Sequence, residues 1–208
     1  MKTTRKILLS LGVLGAAASI AGLGTFATFT DSDNASHTIS SGTVDVNLGA
    51  VGANNRLTVG ASGLVPGDTL QRRVKLSNAG TENLASVKLT TVATTSSVLD
   101  TDATSGLQMV IERCTNGIGW SESGPPYTYT CDLAVAGDGL GTKATVLASQ
   151  RVIGADLTLA NLSATTAGNT DDLRVTITLP SGAGNGFQNK TSTIQYTFNA
   201  EQRAATNK

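Results

Sequence analysis

Alternation of apolar and polar residues with a period of two runs through most of the chain after residue 42 and predicts β-strands. The clearest case is the segment 173–179, where leucine, valine and isoleucine alternate with arginine and threonine. The same pattern predicts strands at 43–48, 56–59, 70–76, 84–93, 107–114, 127–133 and 194–200, and one or two within 145–159 with Gly154 as a bulge. About nine or ten strands at such intervals are typical of an antiparallel β-sandwich. The fold class expected is therefore all-β.

Segments rich in glycine, proline and asparagine separate these strands and predict turns. Residues 63–68 form a Pro/Gly turn, 78–83 a hairpin-type loop, and 117–126 a Gly- and Pro-rich loop. Short helical turns fit only the longer connections 94–104 and 159–171. Within 70–76 the inward row contains Arg72, which is expected near a strand end.

The first 27 residues have the organisation of a secretory signal peptide. Three basic residues precede an apolar run from Ile7 to Leu23, and small residues follow it. Thr25-x-Ala27 satisfies the small-x-small rule, which predicts cleavage between Ala27 and Thr28. The pairs 16/18 and 19/21 satisfy the same rule, and an uncleaved anchor is the alternative.

The rest of the chain divides into three parts. Residues 28–41 are polar and irregular and predict a mobile N-terminal arm. Residues 42–203 carry the strand pattern and form the predicted sandwich, and 204–208 form a polar tail.

Charge and composition argue against two classes of function, nucleic-acid binding and spanning a membrane. The 15 basic and 15 acidic residues balance, but the signal peptide removes three basic and no acidic residues, which leaves a net charge of −3. Such a chain is a poor binder of nucleic acid. No second apolar run of about 18 residues exists, so no membrane span is expected after cleavage.

The two cysteines, Cys114 and Cys131, are predicted to form a disulfide because an exported chain meets an oxidising environment. The closed loop of about 17 residues corresponds to a stabilisation of roughly 3 kcal/mol. The bridge is expected to join two antiparallel strands across a hairpin. Two cysteines alone are too few ligands for a structural zinc site.

Candidate catalytic chemistry is sparse. His37 is the only histidine and lies in the predicted arm, and no His-Glu-x-x-His motif occurs. The pairs Asp100/Asp102 and Asp171/Asp172 are interpreted as solvated loop carboxylates rather than calcium ligands. No catalytic, cofactor-binding or metal-binding residue is therefore predicted.

The aromatic residues Trp120, Tyr127 and Tyr129 allow two interpretations. They could form a carbohydrate-binding platform, or they could pack around the disulfide. Packing is the favoured interpretation.

Several segments together resemble the TasA/camelysin family. They are Thr-Phe-Ala-Thr-Phe-Thr-Asp at 25–31, Ile-Ser-Ser-Gly-Thr-Val-Asp-Val at 39–46, Leu-Val-Pro-Gly-Asp-Thr-Leu at 64–70, Val-Lys-Leu-Ser-Asn-Ala-Gly at 74–80 and Ser-Thr-Ile-Gln-Tyr-Thr-Phe-Asn-Ala at 192–200. The resemblance covers roughly 22–92 and 173–203. It implies a jelly-roll sandwich and a secreted subunit of bacterial biofilm-matrix fibres. Camelysin was named as a metallo-endopeptidase, a label that finds no visible site in this sequence.

The resemblance also implies assembly by donor-strand exchange, in which the arm of one subunit enters the sheet of another. Thr28, Phe29, Thr30 and Ile39 are the candidate assembly residues of the arm. The expected partners are further copies of the chain, other matrix proteins and, during export, signal peptidase. The expected location is the extracellular matrix or cell surface of a Gram-positive host, and the composition suggests a high-GC one.

Two other functions remain open at this point. One is a monomeric secreted or surface binding module of adhesin type that uses the loop around Trp120. The other is a camelysin-like metallo-endopeptidase.

Overall fold

The computed structural model describes residues 41–58, 63–115, 117–133 and 141–206. All of them belong to the unit Ser41–Lys208, one of two units into which the chain divides. Several predictions concern residues outside this part and stay predictions: the signal peptide 1–27 with its cleavage between Ala27 and Thr28, the arm residues Phe29, Thr30 and Ile39, and His37.

The described residues contain ten strands and two short helical turns. The strands are β1 (Val46–Leu48), β2 (Thr69–Asn78), β3 (Leu84–Thr95), β4 (Gln108–Cys114), β5 (Gly117–Ser123), β6 (Thr128–Leu133), β7 (Lys143–Arg151), β8 (Gly154–Thr158), β9 (Thr170–Thr178) and β10 (Thr193–Gln202). The turns are the α-helical turn α1 (Val98–Thr101) and a 3-10 turn at Asn185–Phe187.

A five-stranded antiparallel sheet has the order β1-β2-β9-β4-β7. Its central strands follow the predicted alternation, because Val74, Ile111 and Val175 are fully buried on one face. The residues between them are half-buried on the opposite face. Alternation thus places the apolar side chains of three neighbouring strands in one layer of the core.

A three-stranded antiparallel sheet, β10-β3-β8, supplies the other half of the core. Val87 and Leu89 of β3 are fully buried within the same apolar cluster as the five-stranded sheet. The inward Thr91 is also buried, but its hydroxyl donates to the Val152 carbonyl at 2.7 Å and accepts from the Gly154 amide at 2.9 Å. This polar side chain therefore joins β3 to the corner where the chain passes from β7 to β8.

Strands β5 and β6 form a separate two-stranded hairpin with its own small core. Trp120, Tyr129 and Cys131 are each at most 4% exposed, and Cys114 and Tyr127 pack against them. The hairpin contacts the polar outer face of the five-stranded sheet through side chains of β2, β4 and β9. The domain is a sandwich with a third, partial layer.

The predicted fold class is confirmed, with three local differences. The predicted strand at 43–48 shortens to β1, and the described part of the predicted strand at 56–59, residues 56–58, is not a strand, although Asn55 just before it makes isolated bridges to Gly52 and Val74. The Gly-rich segment expected to be a loop is instead the strand β5. Of the two connections in which a helical turn was expected, 94–104 and 159–171, the first holds the helical turn α1. The jelly-roll connectivity implied by the resemblance stays a prediction.

Candidate assembly edge and hairpin layer

Strand β10 forms the edge of the three-stranded sheet. It pairs only with β3, in register from Ile194 opposite Ala93 to Ala200 opposite Val87. Within the part of the chain that the structure describes, no strand pairs with its other side. As far as the described residues show, its outer edge therefore presents unpaired backbone N–H and C=O groups along ten residues, the kind of edge that accepts an added strand.

The inward face of β10 is incompletely covered. Four apolar residues of β10 alternate along this face and are only half-buried: Ile194, Tyr196, Phe198 and Ala200. The neighbouring inward residues of β3, Val87 and Leu89, are 0% exposed. The core is thus closed over β3 and still open at its margin beside β10.

The opposite margin of the sandwich is closed by backbone hydrogen bonds. The Val152 amide donates to the Leu107 carbonyl at 2.8 Å, and the Ala160 amide donates to the Val146 carbonyl at 2.9 Å. The first bond extends the pairing of β7 with β4 within the five-stranded sheet, and the second joins β7 to a residue that follows β8 and so links the two sheets. Among the described residues the sandwich is therefore asymmetric, with a backbone hydrogen bond between the sheets at one margin and no strand beside β10 at the other.

Two side chains at the open margin have perturbed ionisation. Burial raises the pKa of Tyr196 to about 12, and the nearby charge of Arg72 partly opposes that rise. Arg72 itself is 5% exposed, and desolvation lowers the pKa of its guanidinium. The ring of Tyr127 lies 5.8 Å from the Arg72 guanidinium carbon and 4.4 Å from that of Arg56. The inward charge of Arg72 thus lies within cation–π range of the Tyr127 ring.

The start of β10 is held by a buried carboxylate. Asp100 of α1 accepts hydrogen bonds from the hydroxyls of Ser96 and Ser192 and from the Ser97 amide. Burial alone would raise the pKa of Asp100, but these hydrogen bonds outweigh it and hold the pKa below its ordinary value. Ser97 and Asp100 also form a capping box, a pattern that is visible in the sequence as Ser-x-x-Asp.

The end of β10 lies beside the point where the chain enters the sandwich. Arg203 makes an ion pair with Glu82, and Gly42 lies against the Glu82 side chain so closely that a Cβ would not fit. The Thr43 carbonyl accepts from the Thr81 amide at 3.0 Å. The segment that follows the predicted arm is therefore fixed against the loop that carries Glu82.

The hairpin is held on the five-stranded sheet by a disulfide and an aromatic–cation contact. Cys114 of β4 and Cys131 of β6 are bridged, with their Cα atoms 5.4 Å apart. The Arg174 guanidinium lies 4.3 Å from the Trp120 ring centroid, and Trp120 Nε1 donates to the Asp172 carbonyl at 3.0 Å. The predicted pairing of the cysteines and the packing role of the aromatic residues are both confirmed.

The position of the bridge differs from the prediction in one respect. Strand β4 pairs with β7 and β9, whereas β6 pairs with β5. The disulfide therefore connects two different sheets rather than two neighbouring strands of one hairpin.

Ion pairs occupy the interface below the hairpin. Arg73 and Arg174 lie directly opposite each other on β2 and β9, which would repel without neighbouring carboxylates. Arg73 pairs with Asp172, and Arg174 pairs with Glu112. Each pair places a carboxylate beside its arginine.

The interpretation of the acidic pairs as solvated loop carboxylates is wrong. Asp171 and Asp172 lie in β9, where Asp171 is 3% exposed and pairs with Arg113. Asp100 is 5% exposed, and only Asp102 remains in a connecting loop, where it accepts from the amides of Thr104 and Ser105. The side-chain partners of Asp171 and Asp172 on other strands are distant in sequence, so the local pattern did not reveal them, whereas Ser96 and Ser97 lie close to Asp100.

No group of three or more histidine, cysteine, aspartate or glutamate side chains in the described residues could hold a metal ion. No helix among them is long and apolar enough to cross a membrane.

The fold and the free edge define an antiparallel β-sandwich with one sheet open at its last strand. The family model described as camelysin metallo-endopeptidase matches residues 4–113, more than half of the chain. The chain belongs to this family, which also contains TasA, as the resemblance implied. A search of curated proteins found no match. The matched residues end immediately before Cys114, so the hairpin layer lies beyond them.

Proposed function

We propose that the mature chain is a secreted structural subunit of extracellular matrix fibres. In this proposal the N-terminal arm of one subunit, residues 28–41, adds as a strand to β10 of the next. The observation that carries it is the free ten-residue edge of β10 with its half-buried apolar row. An added strand would pair the backbone groups of that edge and cover the apolar row.

The dimensions of the arm suit this edge. Fourteen extended residues reach about 46 Å at roughly 3.3 Å each, whereas the ten residues of β10 span about 33 Å. The chain enters the sandwich beside the end of β10, near Glu82 and Arg203. An arm folded back along its own β10 would therefore run parallel to it. Antiparallel pairing, which is slightly more stable, is open to the arm of another subunit.

The energies of this step are closely balanced. About ten main-chain hydrogen bonds contribute a net ~1 kcal/mol each, and burial of Phe29 and Ile39 contributes ~1.5–3 kcal/mol each. Ordering about ten residues costs roughly 1–2 kcal/mol apiece in backbone entropy. Assembly is therefore expected to depend on concentration, salt and pH. Acid should favour it by neutralising the aspartates at 31 and 33 in the arm of a negatively charged subunit.

Deletion of residues 28–38 from the mature chain tests the proposal. The truncated protein should be secreted and folded, with intact near-ultraviolet circular dichroism from Trp120, but should form no fibres under the electron microscope. Deletion of the tail 204–208 is the matched control and should leave fibre formation unchanged. Fibres formed as readily by the truncated protein as by the full mature chain would overturn the proposal.

We also propose that the chain acts without peptidase activity, despite the description of its family. The sequence has one histidine and lacks the His-Glu-x-x-His arrangement by which many metallopeptidases bind zinc. Purified protein should not cleave casein above the rate of a mock purification. Cleavage that chelator abolishes and zinc restores, and that is lost in the His37→Ala variant, would contradict this expectation.

A further inference from the structure

A polar pocket lies beside the root of the hairpin, where β4 ends and β9 begins. Its volume is about 280 Å³. Its wall includes Lys75, Arg113, Thr115, Ser163, Asp171 and Asp172. Gly119 of β5 also lines the pocket, so the hairpin contributes to its wall.

The two carboxylates in this pocket already have their hydrogen bonds. Asp171 accepts from Arg113 Nη1 at 2.7 Å and from the Ala164 amide at 2.7 Å. Asp172 accepts from Arg73 Nε at 2.7 Å and from the Trp120 amide at 3.2 Å. Both side chains are therefore committed to the framework of the pocket and are poorly placed to hold a cation.

Donors in the pocket are less completely used. The ammonium of Lys75 makes no ion pair or hydrogen bond with a described residue, although its side chain is half-buried. Arg113 has a buried Nε without a hydrogen-bond partner. Ser163 accepts a hydrogen bond from Arg113, which leaves its hydroxyl proton available. An excess of donors around a cation favours a ligand that brings acceptors, above all a carboxylate.

We propose that this pocket binds the carboxylate of an acidic sugar. Lys75 would pair with the carboxylate, and the guanidinium of Arg113, held by Asp171 and Ser163, would add positive charge beside it. The hydroxyl of Ser163 can donate to a sugar ring, and that of Thr115, which donates to the Thr142 carbonyl at 2.9 Å, can accept from a sugar hydroxyl, a group that a bare inorganic ion lacks. The volume accommodates one monosaccharide unit, and none of the lining residues is aromatic, which disfavours an uncharged sugar that relies on ring stacking. The site is independent of polymerisation through β10.

Titration of the mature protein with sodium D-glucuronate tests the proposal. Trp120 is the only tryptophan, and its amide hydrogen bonds to Asp172 of the pocket wall, so its fluorescence should report binding. Isothermal titration calorimetry on the same samples measures binding if the fluorescence does not change. D-Glucose supplies the sugar without the carboxylate, and inorganic phosphate supplies an oxyanion without the sugar ring.

The expected result is saturable binding of glucuronate, with phosphate and glucose each at least about tenfold weaker. The Lys75→Gln variant should weaken glucuronate binding by about tenfold or more, since a charge-assisted hydrogen bond is lost. The Lys88→Gln variant is the matched control, because Lys88 lies on β3 and pairs with Glu201 away from the pocket. Unchanged glucuronate binding in the Lys75→Gln variant, no binding at all, or equal affinity for phosphate would each overturn the proposal.

Discussion

The outer faces of the two sheets differ in charge and in coverage. The outer face of the five-stranded sheet carries arginines paired with carboxylates, and the hairpin covers part of it through a disulfide and Trp120. On the three-stranded sheet, the outward residues of β10 are exposed hydroxyls and amides such as Gln195, Thr197 and Asn199. The hairpin of the same chain covers part of the first face, whereas β10 of the second sheet has no strand on its outer side among the described residues. Half-buried arginine–carboxylate pairs thus lie between the five-stranded sheet and the hairpin, whereas the three-stranded sheet carries the exposed pair Lys88–Glu201.

The largest loss of stability is expected when the side chain of Trp120, which anchors the hairpin, is removed. Trp120→Ala should lower the free energy of unfolding by about 3–5 kcal/mol, because a buried ring, its hydrogen bond and its contact with Arg174 are lost together. Urea denaturation monitored by far-ultraviolet circular dichroism measures it. Tyr127→Ala, at a half-buried position of the same hairpin, is the control and should cost less. A loss below about 1 kcal/mol for Trp120→Ala would show that the hairpin is not an integral layer.

A slightly smaller loss of stability is expected when the disulfide is removed. Replacing both Cys114 and Cys131 by serine should lower stability by roughly 2–4 kcal/mol, because the unfolded chain regains the freedom of a 17-residue loop. Denaturant midpoints of the oxidised protein and the double variant measure the difference. Fibre formation should persist in the variant, since β10 belongs to the other sheet. Two reactive thiols in the native protein would rule out the bridge in solution.

The smallest of the three losses of stability is expected from a substitution of Asp100, which holds the start of β10. Asp100→Asn should cost about 1–3 kcal/mol, because a buried acceptor of three hydrogen bonds is altered. Hydrogen bonds hold the pKa of Asp100 below its ordinary value, so its contribution to stability is present above that ordinary value. It is lost as the pH falls through the lowered folded-state pKa.

Denaturant melts at neutral and strongly acidic pH would test this dependence. The difference between the parent protein and the Asp100→Asn variant should shrink in acid, while Asp45→Asn, at an exposed position before β1, serves as the control. A difference between parent and variant that is independent of pH would contradict the assigned role. Hydrogen exchange at β10 would show whether a weakened anchor loosens the edge.

Sequence patterns predicted those strands best that have one apolar face in the core and one polar face outside it. In 70–76 and 173–179 one face is core and the other polar, so a period of two is visible, and β2 and β9 lie where it indicated. Strand β5 was missed because Gly117, Gly119 and its serines have low strand propensity. Pairing with β6 and contact with Asp172 hold it extended instead.

The candidate assembly edge could be predicted only in part. The alternation at 194–200 indicated a strand, but strand order decides which strand lies at an edge, and local sequence does not encode that order. The same limit applies to Asp171 and Arg113, which are 58 residues apart in sequence and meet through the pairing of β4 with β9. The cysteine pairing was predictable because only two cysteines exist.

The position of Gly42 beside Glu82 has a mechanical consequence for the proposed fibre. A pulling force on the arm would enter the subunit at this point, and a force on the arm bound by that subunit would enter through β10. Arg203, directly after β10, bonds to Glu82, so the two loads would meet at one corner of the domain. Tension would then pass from subunit to subunit along one margin of the sandwich. The central apolar core and the disulfide-bonded hairpin would bear little of it, and a stretched fibre would yield first at its joints.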